Sequence, residues 1–273
     1  MRWIVFFFVL LGYTKITAND NSVAGGRSAA LAGSSVSLEG FWSVYNNQAG
    51  IASYKHVAAG ISYENRFLIN ELSTKYAAII FPVRSGVFGL SISSFGFTLY
   101  NEKKIGFAFA RKFGKYFSAS LQIDYLGIRI GNEYGKKDLF TFETGMQAQA
   151  NSNLSLGLHI FNPPHIKLSD QYNELLPAVI KFGITYKFSK KICSTVEIEK
   201  NTYHNAVIKV GIEYLITQNV SFRIGVATQP GINSFGIGYK FKTFVFDISS
   251  SYHPDLGYIS QASLIFEINN KKG

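Results

Sequence analysis

Apolar and polar side chains alternate with a period of two along most of the chain, beginning near residue 55. Between residues 57 and 64 the apolar positions are mainly odd, and between residues 154 and 160 they are even. Successive side chains of a strand point to opposite faces of a sheet, so this pattern predicts strands with one apolar face and one small or polar face.

About fourteen such segments follow one another, and their lengths suit tilted strands that cross a bilayer. They cover residues 57–66, 74–83, 86–97, 104–113, 116–130, 139–150, 153–161, 178–188, 191–200, 205–215, 219–228, 233–241, 243–252 and 257–268. The connections are alternately short, as at Arg84-Ser85, and long, as at residues 162–177. Short turns at one end and long loops at the other predict a closed antiparallel transmembrane β-barrel with both chain ends in the periplasm.

A soluble β-sandwich is the alternative, because alternation also marks a sheet with one buried face. A sandwich would carry many charges on its solvated face, whereas here the second face is largely Gly, Ala and Ser. The chain is 47% apolar and 15% aromatic, and only 16% of its residues are charged, below the roughly 25% of an ordinary soluble domain. Composition therefore favours the all-β membrane barrel.

The first eighteen residues have the order of a secretory signal: Arg2, an apolar stretch from residue 3 to 11, and a small residue at Ala18. We therefore predict a signal peptide at residues 1–18, an N-terminal plug segment at 19–54 and the barrel at 55–269. The single cysteine, Cys193, cannot form an internal disulfide, so an exported chain of this kind is held by pairing and packing alone.

Residues 25–53, which precede the first strand, break the alternation and are dense in Gly, Ala and Ser. Their distinctive residues, in order, are Arg27, Gly33, Trp42, Asn47, Ala49 and Gly50. With these residues, and with weaker likeness onward to about residue 268, the chain resembles the FadL-like barrels, in particular the PorV/PorQ family of Bacteroidetes outer-membrane proteins. Gln48 stands where that family has Pro. The resemblance implies a fourteen-stranded barrel with an N-terminal plug in the lumen, serving type IX secretion or the passage of hydrophobic molecules.

The third segment changes its apolar phase from even, at Leu90 and Ile92, to odd, at Phe95. This change predicts a slip in strand register near Ser93, Ser94 and Gly96, absorbed by a kink or a bulge. FadL-like barrels are similar in having a kinked third strand that opens the wall sideways, so we hypothesise a lateral opening lined by these three residues. An ordinary bulge is the alternative, and a second phase change within residues 117–130 favours it.

Charged side chains occupy the polar phase of the later strands, where we expect them to pair across the lumen. They include Lys181, Glu197, Glu199, Lys209, Glu213, Arg223 and Asp247. Two carboxylates on one face, Glu197 and Glu199, could also suit acid-base chemistry or a metal, but cationic neighbours favour pairing. His253 with Asp255 is the one pair worth testing for catalysis. We predict no enzyme, cofactor or metal.

The formal charge of +10 falls to +8 when Arg2 and Lys15 leave with the signal peptide. The basic residues are dispersed in pairs such as Lys103-Lys104 and Lys136-Lys137, which does not fit nucleic-acid binding. Basic loops at the cell surface suggest contact with lipopolysaccharide as well as with outer-membrane lipids.

The main interpretation is a non-enzymatic outer-membrane protein that assists type IX secretion or surface assembly, with secretion-system or surface proteins as partners. The alternative is a channel for a hydrophobic small molecule. The two differ in what occupies the barrel, since a channel needs an apolar route past the plug and a scaffold can be filled by its own charges.

Overall fold

A computed structural model describes residues 23–131, 135–169 and 174–268 of this protein, so the proposed signal peptide lies outside the described residues. The strands in chain order are β1 (Val57–Arg66), β2 (Ser73–Val83), β3 (Gly86–Gly96), β4 (Tyr100–Phe113), β5 (Phe117–Ile130), β6 (Lys136–Gln149), β7 (Leu154–Phe161), β8 (Lys167–Ser169), β9 (Glu174–Leu175), β10 (Val179–Lys187), β11 (Ile192–Asn201), β12 (Val207–Leu215), β13 (Val220–Ala227), β14 (Asn233–Phe241), β15 (Phe244–His253) and β16 (Gly257–Ile268).

Fourteen of these strands form one closed antiparallel barrel, in which β1 pairs with both β2 and β16. β8 and β9 pair only with each other, in the long connection between β7 and β10. The predicted all-β barrel is therefore confirmed. We call the end with the tight connections the turn end and the opposite end the loop end; Val57 and Ile268 are paired at the turn end.

The alternation along each strand places apolar side chains outside the barrel and small or polar ones inside. On β14, Phe235, Ile237 and Tyr239 are exposed on the outer face, while Ser234 and the glycines between them are buried. The same arrangement continues around the circumference, so the outer wall is a mainly apolar surface of the kind that faces lipid in a transmembrane barrel. None of the helices among the described residues has the length and apolarity to cross a membrane.

The segment before β1 fills the lumen as a plug, as predicted. It contains α1 (Gly26–Ala30), α2 (Ser43–Asn46) and a 3-10 helix at Gln48–Ser53; a further 3-10 helix, Asn70–Leu72, lies in the first loop. Phe41, Trp42 and Tyr45 of the plug are buried in one apolar cluster with side chains of the first strands. Short helices without capping side chains are weak alone, so the barrel wall holds them in place.

Inward-facing glycines let the plug backbone lie directly against the wall. A Cβ added at Gly225 would lie 2.3 Å from the Leu31 carbonyl carbon, and one at Gly157 would lie 2.3 Å from the Val36 carbonyl oxygen. Neither distance is compatible with any side chain, so the small-residue face of the strands is shaped to the plug.

The predicted register slip near Ser93 and Ser94 is wrong. β3 pairs with β2 and with β4 residue by residue through Phe95, without a shift or a bulge. The apolar phase changes because Phe95 points inward at the loop end, where its ring meets Tyr100 edge-on at 6.4 Å. The Arg66 guanidinium lies 5.9 Å from the centre of the same ring, so Phe95 packs between an aromatic and a charged side chain of the lumen.

The phase change in β5 has the same origin. Its pairing with β4 and β6 is continuous, and Leu126 and Ile128 are buried inside the barrel. Leu126 packs with Phe161 and Leu176 beneath the long connection between β7 and β10. An inward apolar residue near a strand end therefore reflects packing against a loop, not a break in the sheet.

Candidate functional site

A network of arginines and carboxylates joins the plug to the wall near the turn end. Arg27 of α1 donates from Nε and Nη2 to the two oxygens of Glu213, each at 2.8 Å. Arg223 donates from Nε to Glu213 at 2.5 Å and from Nη1 to Asp247 at 2.6 Å. The two-point contact holds α1 in one orientation, because a guanidinium presents its donors in a planar fork.

A second network lies beside the middle of the plug. Oε2 of Glu197 accepts hydrogen bonds from the backbone N–H groups of Ser35 and Val36, both at 2.8 Å. Lys209 donates to Glu197 at 3.3 Å and to Glu199 at 2.7 Å. Lys181 lies 3.5 Å from Glu199. Each carboxylate is thus neutralised, which favours a structural role over acid-base chemistry.

All seven lumen charges predicted from the sequence point inward and belong to these two networks. A third buried network was missed. Its centre is Glu143 of β6, which accepts from Gln48 of the plug at 2.7 Å and contacts His159 Nε2 at 2.8 Å. Lys104 also donates to Glu143 and lies 3.8 Å from Asp124.

The strand that carries Lys104 begins at Tyr100, four residues before the predicted segment 104–113. Lys103 and Lys104 both belong to β4, so Lys103 faces outward and Lys104 faces the lumen. The signal that identifies the network is the polar phase of β4 to β7, in which Lys104, Asp124, Glu143 and His159 all occupy lumen positions.

The other plug residues singled out from the sequence hold the plug backbone together and attach it to the wall. Asn47 donates from Nδ2 to the Val36 carbonyl at 2.6 Å, and its Oδ1 accepts from the Ala49 N–H at 3.2 Å. The Ala49 carbonyl accepts from Ser118 of the wall at 3.1 Å.

Close packing explains Gly50 and Trp42 among these plug residues, and backbone conformation explains Gly33. Gly50 lies against Ser43, where a Cβ would approach the side-chain oxygen to 2.6 Å, and Gly33 has a φ of 80° that favours glycine. Trp42 covers Gly25, where a Cβ would meet its ring at 2.3 Å.

The plug divides the lumen into two main cavities. A cavity of about 570 Å³ opens at the loop end, between the plug and residues such as Phe67, His204 and Pro230. A second cavity of about 490 Å³ lies at the turn end, beside Arg27 and Lys187. The described residues between them are the buried plug and its ion pairs, so a straight path along the barrel axis is filled.

A third space lies on the outer wall. A mainly apolar groove of about 630 Å³ runs over β16, β1, β2 and β3, lined by Ile61, Ala77, Ile92 and Leu264, with the paired residues Ser94 and Lys75 at its loop-end side. Small residues on neighbouring strands, including Ala77 and Ala262, leave this depression between large side chains. Because the groove faces outward on a lipid-covered surface, it is suited to apolar molecules.

Tyr45 of the plug lies directly behind this groove. Its hydroxyl is 2.8 Å from the Ala77 carbonyl of β2 and 2.7 Å from the Ile92 carbonyl of β3. Burial raises the pKa of the Tyr45 phenol, so the group stays protonated and can donate. The only sequence signal for Tyr45 was its place in the aromatic part of the plug, between Trp42 and Asn47.

The three residues assigned to a lateral opening lie at the loop end of β3. Ser94 faces outward and lines the groove, and Ser93 faces the lumen beside it. Gly96 ends the strand with a φ of 95°, and a Cβ there would lie 2.1 Å from the Tyr100 carbonyl oxygen. Gly96 thus serves the short loop-end connection to β4.

The candidate catalytic pair is part of a turn. Nδ1 of His253 accepts from the backbone N–H groups of Asp255 and Leu256, at 3.2 and 3.3 Å. Among the residues that the structure describes, no group of three or more His, Cys, Asp or Glu is placed to hold a metal ion. Cys193 is half-buried, with its sulfur 3.8 Å from Glu213.

Comparison with solved structures identifies the architecture. The chain superposes on the structure titled "CymD monoaromatic hydrocarbon channel" with a TM-score of 0.72 and 12% identity, covering 90% of this chain and 98% of that one. The fold is that of the FadL-like barrels. The Ralstonia pickettii toluene transporter TbuX gives a TM-score of 0.66 at 12% identity, covering 89% and 97% of the two chains.

A Pseudomonas aeruginosa FadL homologue gives a TM-score of 0.62 at 12% identity, covering 89% of this chain and 96% of that one. No family model matches the chain, and no curated protein matches its sequence. The similarity is therefore one of fold, and it gives no specific support to the PorV/PorQ family.

Proposed function

We propose that this protein is an outer-membrane channel for small hydrophobic molecules, with a route that passes sideways through the wall between β2 and β3. The observation that carries the proposal is the position of Tyr45, which joins the plug to the backbone of both strands immediately behind the apolar outer groove. Movement of the plug would release both carbonyls beside the outer groove.

The filled axis supports a sideways route. A hydrophobic solute on the straight path would meet the ion-paired networks, where its entry would separate buried charges from their partners at a high energetic cost. A route from the loop-end cavity to the outer groove would pass the ion pair of Arg66 with Glu64 that borders the cavity and leave the wall at Ala77, in front of Tyr45. The structural neighbours named as hydrocarbon channels and toluene transporters support the same class of solute.

This proposal keeps the lateral route at β3, where the sequence analysis placed the opening, and assigns it to the wall between β2 and β3. It retains Ser94, which lines the groove, with Ser93 beside it, and it replaces a register slip with an intact wall whose opening requires the plug to move. We also propose that the protein resides in the outer membrane with its turn end in the periplasm, and that residues 1–18, 19–54 and 55–269 are the signal peptide, plug and barrel.

The test measures toluene uptake by cells that carry the barrel in their outer membrane. Ala77→Trp fills the groove from outside, and we expect it to reduce uptake by about tenfold, the effect of about 1.4 kcal/mol on a barrier. Val210→Trp is the matched control, because Val210 faces outward on β12, far from the groove. Equal uptake by wild type, both variants and cells without the barrel would overturn the proposal.

Type IX secretion or surface assembly is a second candidate, and the observation that favours it is the lumen filled by the plug and its ion pairs. A scaffold does not need an open route. Under this function, exported proteins would co-purify with the gently solubilised barrel in stoichiometric amounts, and Ala77→Trp would leave that association unchanged.

A further inference from the structure

The positive charge of this protein is concentrated at the turn end. Eight exposed cationic side chains lie at this end: Lys55, Arg84, Arg111, Lys115, Lys187, Lys190, Lys191 and Lys242. Three of them, Lys187, Lys190 and Lys191, border the mouth of the turn-end cavity. None of the eight forms an ion pair with another described residue. The acidic side chains at this rim in the described part of the chain, Glu39 and Glu267, are already matched by Lys112 and Lys240.

The rest of the molecule is close to balanced. In the lumen, each cation lies beside carboxylates, as Lys209 does beside Glu197 and Glu199. At the loop end the two signs are mixed, with Arg66 on Glu64 and Lys136 on Asp138. The excess positive charge is therefore carried by the eight cationic residues at the turn end, and we call this set of residues the turn rim.

The cations of the turn rim lie all around the barrel rather than on one side. They occur before β1, between β2 and β3, between β4 and β5, between β10 and β11, and between β14 and β15. A folded protein partner would touch one sector of the rim. A ring of charge instead fits a ligand that surrounds the barrel, as the lipid headgroups of one membrane leaflet do.

Aromatic side chains place the rim at headgroup depth. Exposed rings on the outer wall, among them Phe113, Phe188 and Phe241, form a belt at the same end. The Arg111 guanidinium lies 5.7 Å from the centre of the Phe113 ring, and the Lys242 ammonium lies 5.4 Å from the centre of the Phe241 ring. Aromatic belts lie at the membrane interface, so cations stacked on them reach the phosphate layer.

We propose that the turn rim binds the headgroups of anionic phospholipids in the adjoining leaflet and thereby selects the lipids that surround the barrel. Basic groups beside a membrane surface attract anionic lipids over a distance set by the screening length of the salt. This surface is independent of the solute route, because its residues lie at the opposite end of the barrel from the loop-end cavity and outside the apolar groove.

The experiment compares wild type with two charge-matched variants. The turn-rim variant changes Lys115, Lys190, Lys191 and Lys242 to Gln. The control changes Lys103, Lys136, Lys167 and Lys200, at the loop end, to Gln. Each barrel is reconstituted in an equimolar mixture of phosphatidylglycerol and phosphatidylethanolamine, released in mild detergent, and analysed by native mass spectrometry for the ratio of the two lipids retained.

We expect wild type and the control to retain an excess of phosphatidylglycerol and the turn-rim variant to show a ratio about tenfold lower, with the difference lost in high salt. A third variant with Arg at the same four positions should retain as much phosphatidylglycerol as wild type. This result would show that the positive charge, and not the lysine side chain itself, determines lipid retention. Heat-modified migration on gels shows that each barrel is folded.

Equal loss of phosphatidylglycerol in the turn-rim and control variants would overturn the proposal, as would wild type without any enrichment. An unchanged lipid ratio in the turn-rim variant, together with loss of an acidic protein that co-purifies with wild type, would also overturn it and assign the rim to a protein partner.

Discussion

The side-chain amide of Gln48 donates to the carboxylate of Glu143 at 2.7 Å, deep in the lumen and out of contact with solvent. This bond links the plug to β6 and supplies a donor to a buried acid of the wall, which a side chain without an N–H or O–H at position 48 would not do.

Replacement of Gln48 by Ala should destabilise the folded barrel by about 1–3 kcal/mol, because it removes a donor from a buried carboxylate. The measurement is urea unfolding in detergent micelles of a barrel produced without residues 1–18, followed by the fluorescence of Trp42, the single tryptophan in the sequence from residue 19 onward. Gln218→Ala, in an exposed turn, is the control and should unfold like wild type. Equal stability of Gln48→Ala and wild type would show that Lys104 and His159 satisfy Glu143 alone.

Replacement of Arg27 by Ala should loosen the plug and raise ion conductance through the barrel. The change removes both hydrogen bonds between α1 and Glu213 while Arg223 continues to neutralise that carboxylate. The barrel should remain folded and the plug should move. Single-channel recording in planar bilayers measures the effect.

Lys112→Ala is the control for this conductance experiment. It also removes one plug-to-wall contact, but the Lys112 and Glu39 side chains are 3.8 Å apart and both exposed, so conductance should not change. Increased conductance in both variants to the same extent would mean that the plug is held by many weak contacts and not by Arg27.

The strands were predictable because alternation reports directly which face of a strand meets lipid. The predicted segment at 57–66 and the observed β1 coincide, and the largest differences, at β4 and β6, add residues at the loop end where exposed positions carry no alternation. Phe95 and Leu126 led to the wrong register prediction. The alternation shows that the apolar side chains change face, but it does not show whether a register slip or inward packing is the cause.

The lumen networks were predictable only as single residues. Alternation placed Glu197 and Lys209 inside, but pairing partners depend on register and on where the plug lies. Glu197 accepts hydrogen bonds from the Ser35 and Val36 N–H groups because the plug backbone runs past it. The plug has no periodic sequence pattern from which its course could be predicted. Tyr45 was missed for the same reason.

Replacement of Lys209 by Met should destabilise the barrel by about 3 kcal/mol, because Glu197 loses its cation within a buried site. The double variant Lys209→Met with Glu197→Gln should recover part of this loss, since the neutral amide no longer requires a cation. Urea unfolding of the two single variants and the double variant gives the coupling free energy. Strictly additive effects would contradict a direct interaction between the two side chains.

Replacement of Gly225 by Ala should displace the plug from the wall. The added Cβ would lie 2.3 Å from the Leu31 carbonyl carbon and 2.5 Å from the Ala32 nitrogen, and backbone atoms on both sides cannot rotate away. Overpacking of this kind costs about 1–3 kcal/mol, so the plug should become accessible to protease while the strands stay paired. Gly127→Ala is the matched control, because its new Cβ would meet the movable Tyr125 side chain at 3.1 Å. Cleavage within residues 23–53, mapped by mass spectrometry, should rise in Gly225→Ala alone, and protection equal to that of wild type would show that the wall, rather than the plug, yields to the added methyl group.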